Sequence, residues 1–83
     1  MEKVLKAVAN RRRIAILNCL NKKKEMSVGN ISRQIKLSFR STSKHLSILY
    51  SSGLLDREQR GILMFYWLNA RGRQIFSAII SLF

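Results

Sequence analysis

The spacing of apolar residues changes at Gly53, and that change limits what this chain can fold into. Before it, apolar residues recur at three and four. After it, Leu54-Leu55 and the aromatic-rich run Ile62–Leu68 flank Arg60-Gly61, and from Ala70 the helical spacing returns. Residues 2–9 read as a short helix with Val4, Leu5 and Val8 on one side. Asn10 caps the next helix, which runs to about Leu20, because its side-chain oxygen accepts from free backbone N–H groups. Ile14, Leu17 and Leu20 form its inward stripe, with Ile16 flanking, and Lys22-Lys23-Lys24 make an exposed turn. Ser27 caps a helix whose Val28, Ile31 and Ile35 share a face and which ends near Gln34 or Ile35. Lys36-Leu37 turn the chain, and Ser38 caps another helix. On that one Thr42, Leu46, Leu49 and Tyr50 point inward, and Arg40, Ser41, Lys44 and Ser51 outward. Gly53 ends it in a left-handed conformation.

Residues 54–68 then predict a β-hairpin about Arg60-Gly61, and residues 70–83 a last helix. The expected fold is mainly α with a small β-hairpin (α+β), in one domain over 1–83. A helix-turn-helix at about 27–52 followed by a hairpin at about 54–68 is the winged helix-turn-helix layout.

Charge narrows the partner. Sixteen Lys and Arg face four acids, a net charge of +12, so a polyanion is expected, nucleic acid before an anionic membrane surface. An inert solvated surface is the plain alternative. With four carboxylates, one histidine and no phosphate-cradling glycine loop, an enzyme is not expected, nor a small-molecule substrate. Cys19 is alone, so no intrachain disulfide forms and a reducing, cytoplasmic setting fits. No apolar run approaches the ~20 residues of a membrane span, and the N-terminus lacks a signal-peptide core.

The stretch from Ser38 to Leu49 carries the functional signal: hydroxyls and two cations, with no carboxylate. Arg40 and Lys44, four apart, share a side; Arg40 suits a guanine edge, Lys44 a guanine or a phosphate. Ser38, Ser41 and Ser43 suit phosphate oxygens or base edges, and Ser38 also serves as the cap. Two readings stand for Phe39, stacking on a thymine methyl or packing in the core. Two stand for His45, a phosphate hydrogen bond or a packed imidazole. Cys19 reads as a buried thiol. The stripe Ile75, Phe76, Ile79, Ile80 and Phe83 exceeds what a small core covers, and with Val4, Leu5 and Val8 it suggests a two-fold dimer. Such a dimer would hold two reading helices about 34 Å apart.

These segments resemble the ArsR-type (arsenic-repressor-like) winged-helix transcriptional regulators. The likeness spans roughly residues 4–68. Leu5-Lys6-Ala7-Val8-Ala9-Asn10, with Arg13-Ile14 and Ile16-Leu17, is similar to the family's opening pattern. Ser41-Thr42-Ser43-Lys44-His45-Leu46-Ser47-Ile48-Leu49 is similar to its recognition helix. Gly53-Leu54-Leu55, Gly61 and Phe65-Tyr66-Trp67-Leu68 are similar to its helix exit and wing. The resemblance implies a homodimer, paired through first and last helices, on an inverted-repeat operator in double-stranded DNA. Repression is the expected outcome, with the protein in the cytoplasm and at the nucleoid when bound.

Three departures matter. Metal-sensing members carry Cys-Val-Cys where this chain has Ser27-Val28-Gly29, and residues 70–83 hold no Asp, Glu, His or Cys. No metal or other cofactor is therefore expected. Arg11-Arg12 stand where Pro-Thr is common, each costing about 0.3–1 kcal/mol against the helix dipole; phosphate contact and an idle patch both remain open. Ile62 stands where an arginine commonly follows the wing glycine, so Arg57 or Arg60 would have to substitute. Two rival functions stay open: a non-specific architectural DNA binder, and a winged helix used to bind a protein.

Overall fold

A computed structural model of the chain describes residues 1–82. Its elements are α1 (Glu2–Val8), α2 (Arg11–Lys22), β1 (Met26–Ser27), α3 (Val28–Ile35), α4 (Phe39–Ser51), β2 (Leu55–Arg60), β3 (Leu63–Leu68) and α5 (Ala70–Ile80). The three strands form an antiparallel sheet in the order β1-β3-β2. This is the winged helix-turn-helix layout. The expected hairpin is present, with Arg60 opposite Leu63 and Leu55 opposite Leu68. The third strand was not foreseen: Met26 and Ser27 pair with Tyr66 and Phe65. Two residues are too short to show a period, and Ser27 already serves as a helix cap.

Caps set the helix starts. The side chains of Asn10, Ser27, Ser38 and Asn69 accept from the backbone N–H groups of Arg13, Asn30, Ser41 and Gly72. Each satisfies a donor that the first helical turn leaves free. The turn between α3 and α4 is made by Lys36, in the left-handed region at φ 56°. Its N–H and that of Leu37 close on carbonyls of Arg33 and Ser32. After α4, Gly53 at φ 85° makes the left-handed exit, as expected.

The core gathers on α2. Ile16 and Leu17 are fully buried with Ile31, Leu46, Leu49, Leu54, Leu55 and Leu68. Leu17 and Leu20 are inward as expected, whereas Ile16 and Ile14 exchange places, Ile16 buried and Ile14 half-buried. Tyr50 is also corrected. It is exposed, with the Arg57 guanidinium 3.9 Å above its ring. Val4 and Phe76 belong to this same core. They are spent within the protomer, so the expected dimer seam loses them. Leu5 (58% exposed) and Ile80 (51%) keep open apolar surface, and Val8, Ile75 and Ile79 are half-buried. Phe83 lies outside the described residues.

The start of α5 fits tightly under the wing. A Cβ on Gly72 would lie 2.1 Å from the Leu54 carbonyl oxygen. Asn69 fastens the same junction, donating from Nδ2 to the Gly53 carbonyl at 3.0 Å.

Candidate nucleic-acid interface

The apolar residues of α4 pack at spacings of three and four, so the rest of the helix turns outward. Thr42, Leu46 and Leu49 are buried, whereas Arg40, Ser41, Lys44 and Ser47 are exposed. Neither Arg40 nor Lys44 joins an ion pair among the described residues. Phe39, in the first turn, is 61% exposed. Its core-packing reading is set aside, because the cap at Ser38 starts the helix with Phe39 on the solvent side. Ser38 itself is occupied as the cap, its oxygen 3.1 Å from the Ser41 N–H. Ser43 is half-buried and lines a cleft between α4 and the wing.

Residues beyond the expected set join this face. Lys3, Lys6 and Arg13 line a groove of about 360 Å³ with Lys44, Ser47 and Ser51. The basic surface thus passes from α4 onto α1, a continuity that no spacing within either helix reveals. Lys6 also pairs with Glu2 at 3.4 Å, one helical turn away.

His45 leaves the candidate face. It is half-buried, and its Nδ1 lies 3.1 Å from Nη1 of Arg13, a guanidinium that can only donate. Burial first, then the charges of Arg13, Arg12 and Lys44, push its pKa below the ordinary imidazole value. A neutral ring accepting from Arg13 is the consistent state. Arg13 also donates from Nε to the Ala7 carbonyl and from Nη2 to the Lys6 carbonyl at 3.3 Å. It closes the end of α1 against α2 and α4, so one member of the arginine cluster is structural. Arg11 and Arg12 are exposed.

The wing arginines are both engaged. Strand alternation puts them on opposite sheet faces. Arg57 stacks on Tyr50, and its Nη1 lies 3.3 Å from the Tyr66 hydroxyl. That contact is the main reason its pKa is raised. Arg57 is held in position, but among the described residues no carboxylate pairs with it. Arg60 is neutralised. Its Nε donates to Glu58 at 2.8 Å, its Nη1 and Nη2 both reach Glu25, and it lies over the Phe65 ring. The Arg60 contact lowers the Glu25 pKa, and both glutamates raise that of Arg60. The cluster is net negative by one charge. Arg60 is therefore withdrawn as the substitute for a free wing arginine, and Ile62, 95% exposed, forms the tip.

Cys19 is half-buried, and burial raises its thiol pKa although Lys22 opposes. Among the described residues no three His, Cys, Asp or Glu side chains converge as a metal site would need. No described helix is long and apolar enough to cross a membrane.

Fold and face together define a winged helix-turn-helix domain with a basic outer helix. The family described as "Bacterial regulatory protein, arsR family" matches residues 10–57, more than half of the sequence. The chain belongs to that family, whose members are regulators of transcription rather than enzymes. It is similar to the transcriptional activator HlyU of Vibrio cholerae, 39% identical over 67 residues, 81% of this chain and 61% of HlyU. The chain thus spans less than two thirds of that relative's length. A solved HlyU structure superposes with a TM-score of 0.85 at 33% identity, over 98% of this chain and 88% of that one. A homodimeric winged helix-turn-helix DNA-binding domain of Mycobacterium bovis gives 0.89 at 27% identity, over 98% and 75%. NolR of Sinorhizobium fredii gives 0.86 at 29%, over 99% and 82%.

Proposed function

We propose that this chain binds double-stranded DNA as a homodimer, lays α4 in the major groove of each half of an inverted repeat, and regulates transcription from there. The observation that carries the reading is the outer face of α4. Arg40, Ser41 and Lys44 are exposed there, and the two cations have no paired acid among the described residues. Phosphate contacts supply most of the affinity and register, and base edges the preference. The groove shared by Lys44 with Lys3 and Lys6 extends the phosphate-facing surface.

Dimerisation uses Leu5 and Val8 of α1 with Ile75, Ile79 and Ile80 of α5, the apolar positions that the protomer core leaves open or half-open. The homodimeric Mycobacterium bovis domain supports that assembly. No resident metal takes part, in keeping with the donor set. A dimer seated on its operator excludes other proteins from the same DNA, so repression is the simplest consequence of binding. HlyU is described as an activator, and a reporter with the operator placed over or upstream of the promoter decides the sign.

An anisotropy titration of duplex DNA at increasing salt tests the reading. Affinity falls steeply, with a log–log slope of several units if about five or more phosphates are met. Salt-insensitive binding refutes it. Selection from random duplexes then separates specific regulation, which yields a palindrome with half-sites about one turn apart, from architectural binding, which yields no motif.

A further inference from the structure

Three large apolar side chains stand exposed where the proposed function puts DNA: Phe39 at 61%, Ile62 at 95% and Leu63 at 48%. They are not scattered. All three line one cleft of about 220 Å³ between α4 and the wing, together with Ser43, Ser47 and Arg57. The rest of its lining is mixed, polar at Ser43, Ser47 and Arg57 and apolar at Val28 and Met64.

The turn gives Ile62 its position. Arg60 pairs with Leu63, so Gly61-Ile62 is a two-residue loop, and Gly61 takes φ 62°. Glycine at the first central position is the type II′ arrangement, in which the second position has ordinary backbone angles and accepts many residues. Nothing in the turn demands isoleucine. Nor does the wing offer a free cation at its tip, since Arg60 is taken by Glu25 and Glu58. Phe39 follows the cap and is likewise not required by the helix. Both residues expose apolar area that the protomer does not bury.

We propose that this chain reads its operator in part by apolar contact: Phe39 packs on a thymine 5-methyl group in the major groove, and Ile62 packs on the sugar edge of the adjacent minor groove. The inference rests on the DNA-binding reading. It follows from matching surfaces. A duplex offers apolar features at its groove edges, the thymine methyl among them, with a polar backbone between. The cleft offers exposed apolar residues from both α4 and the wing, and Ser43, Ser47 and Arg57 share its lining. Arg57, oriented by Tyr50 and Tyr66 and in no ion pair among the described residues, is placed to meet a phosphate.

The test uses the full chain and a duplex recovered by random-sequence selection. Each thymine is replaced in turn by deoxyuridine, which removes the methyl and leaves the Watson–Crick edge intact. At one symmetric position per half-site the wild type binds about fourfold more weakly, the worth of one buried methyl group. Phe39→Ala binds the thymine duplex more weakly and does not distinguish thymine from deoxyuridine at that position. Its circular dichroism and melting stay at wild-type values, since Phe39 is exposed. Ile62→Ala lowers affinity without changing the salt slope.

Binding that no deoxyuridine alters overturns the thymine contact, as does a Phe39→Ala protein that keeps the deoxyuridine penalty. Unchanged affinity of Ile62→Ala overturns the wing contact. If the apolar residues serve a protein partner instead, both substitutions and every deoxyuridine replacement leave duplex binding as it was. No duplex bound at any salt would overturn the proposed function itself, a result distinct from binding that ignores the methyl groups.

Discussion

Helix α4 and the wing each carry two cations that the sequence offered to DNA, and the structure leaves the two pairs in different conditions. Arg40 and Lys44 on α4 are exposed and have no acidic partner among the described residues. On the wing, Arg57 is held by two tyrosines and Arg60 by two glutamates. Of the four acids in the chain, two sit on this one arginine. Formal charge is thus a poor guide to charge available for a ligand. The helix is equipped to meet phosphates and base edges, whereas the wing tip is apolar.

The largest expected effect concerns how the wing is mounted. Gly72→Ala drives a methyl into the Leu54 carbonyl where the wing begins, and a loss of roughly 1–3 kcal/mol is expected. Thermal unfolding reads this as a drop of about 4–8 °C for each kcal/mol in a domain of this size. Unchanged melting would mean that α5 yields easily and that the wing is not rigidly seated.

Next come the helix cations. Arg40→Ala and Lys44→Ala should each weaken specific binding by about 1–3 kcal/mol where a base is read, or lower the salt slope by about one where a phosphate is met. Anisotropy titrations at several salt concentrations distinguish the two. Neither change in either variant would erase the contrast from the helix side.

The wing side is tested by releasing its arginine. Arg60→Ala should leave the salt slope as it is, because that charge is already compensated. Glu25→Gln with Glu58→Gln should steepen the slope and tighten binding at low salt, since Arg60 becomes free to meet a phosphate. A slope that falls on Arg60→Ala would show that the arginine leaves its glutamates when DNA arrives.

The smallest effect is a pH dependence at the junction of α1, α2 and α4. The pKa of His45 is lowered in the folded chain, so the unfolded chain takes up a proton that the folded chain resists. Its contribution to stability is complete above the ordinary imidazole value of about 6.5 and is lost as pH falls below it. Protonation would set an imidazolium against the Arg13 guanidinium. Denaturant melts between pH 7.5 and 5 should show the decline, and His45→Gln should flatten it. An identical decline in that variant would assign it to other groups.

Much of the fold was legible because helix starts and stops are local. Asn10, Ser27 and Ser38 cap within three residues of themselves, and Gly53 turns the chain by its own conformational freedom. The outward face of α4 was legible from spacing alone. Local signals failed where partners lie far apart in the chain. Arg60 and Glu25 are 35 residues apart and meet only because β1 pairs with β3. His45 meets Arg13 across 32 residues. Val4 and Phe76 carry the same apolar signal as Leu5 and Ile80, and only the packing of neighbouring elements distinguishes core from open surface. Tyr50 followed the apolar pattern yet lies outside, because Arg57 on β2 covers its ring.

The sequence by itself determined the order of the helices and the wing hairpin, the basic outer face of α4 and the scarcity of metal ligands, since these depend on short-range periodicity, capping and residue chemistry. Only the tertiary structure decided which cations stay unpaired, which apolar side chains the protomer consumes, and that Phe39 and Ile62 flank the same cleft. Those outcomes require side chains distant in sequence to come within a few ångströms, and the register of the sheet and the seating of α5 under the wing bring them there.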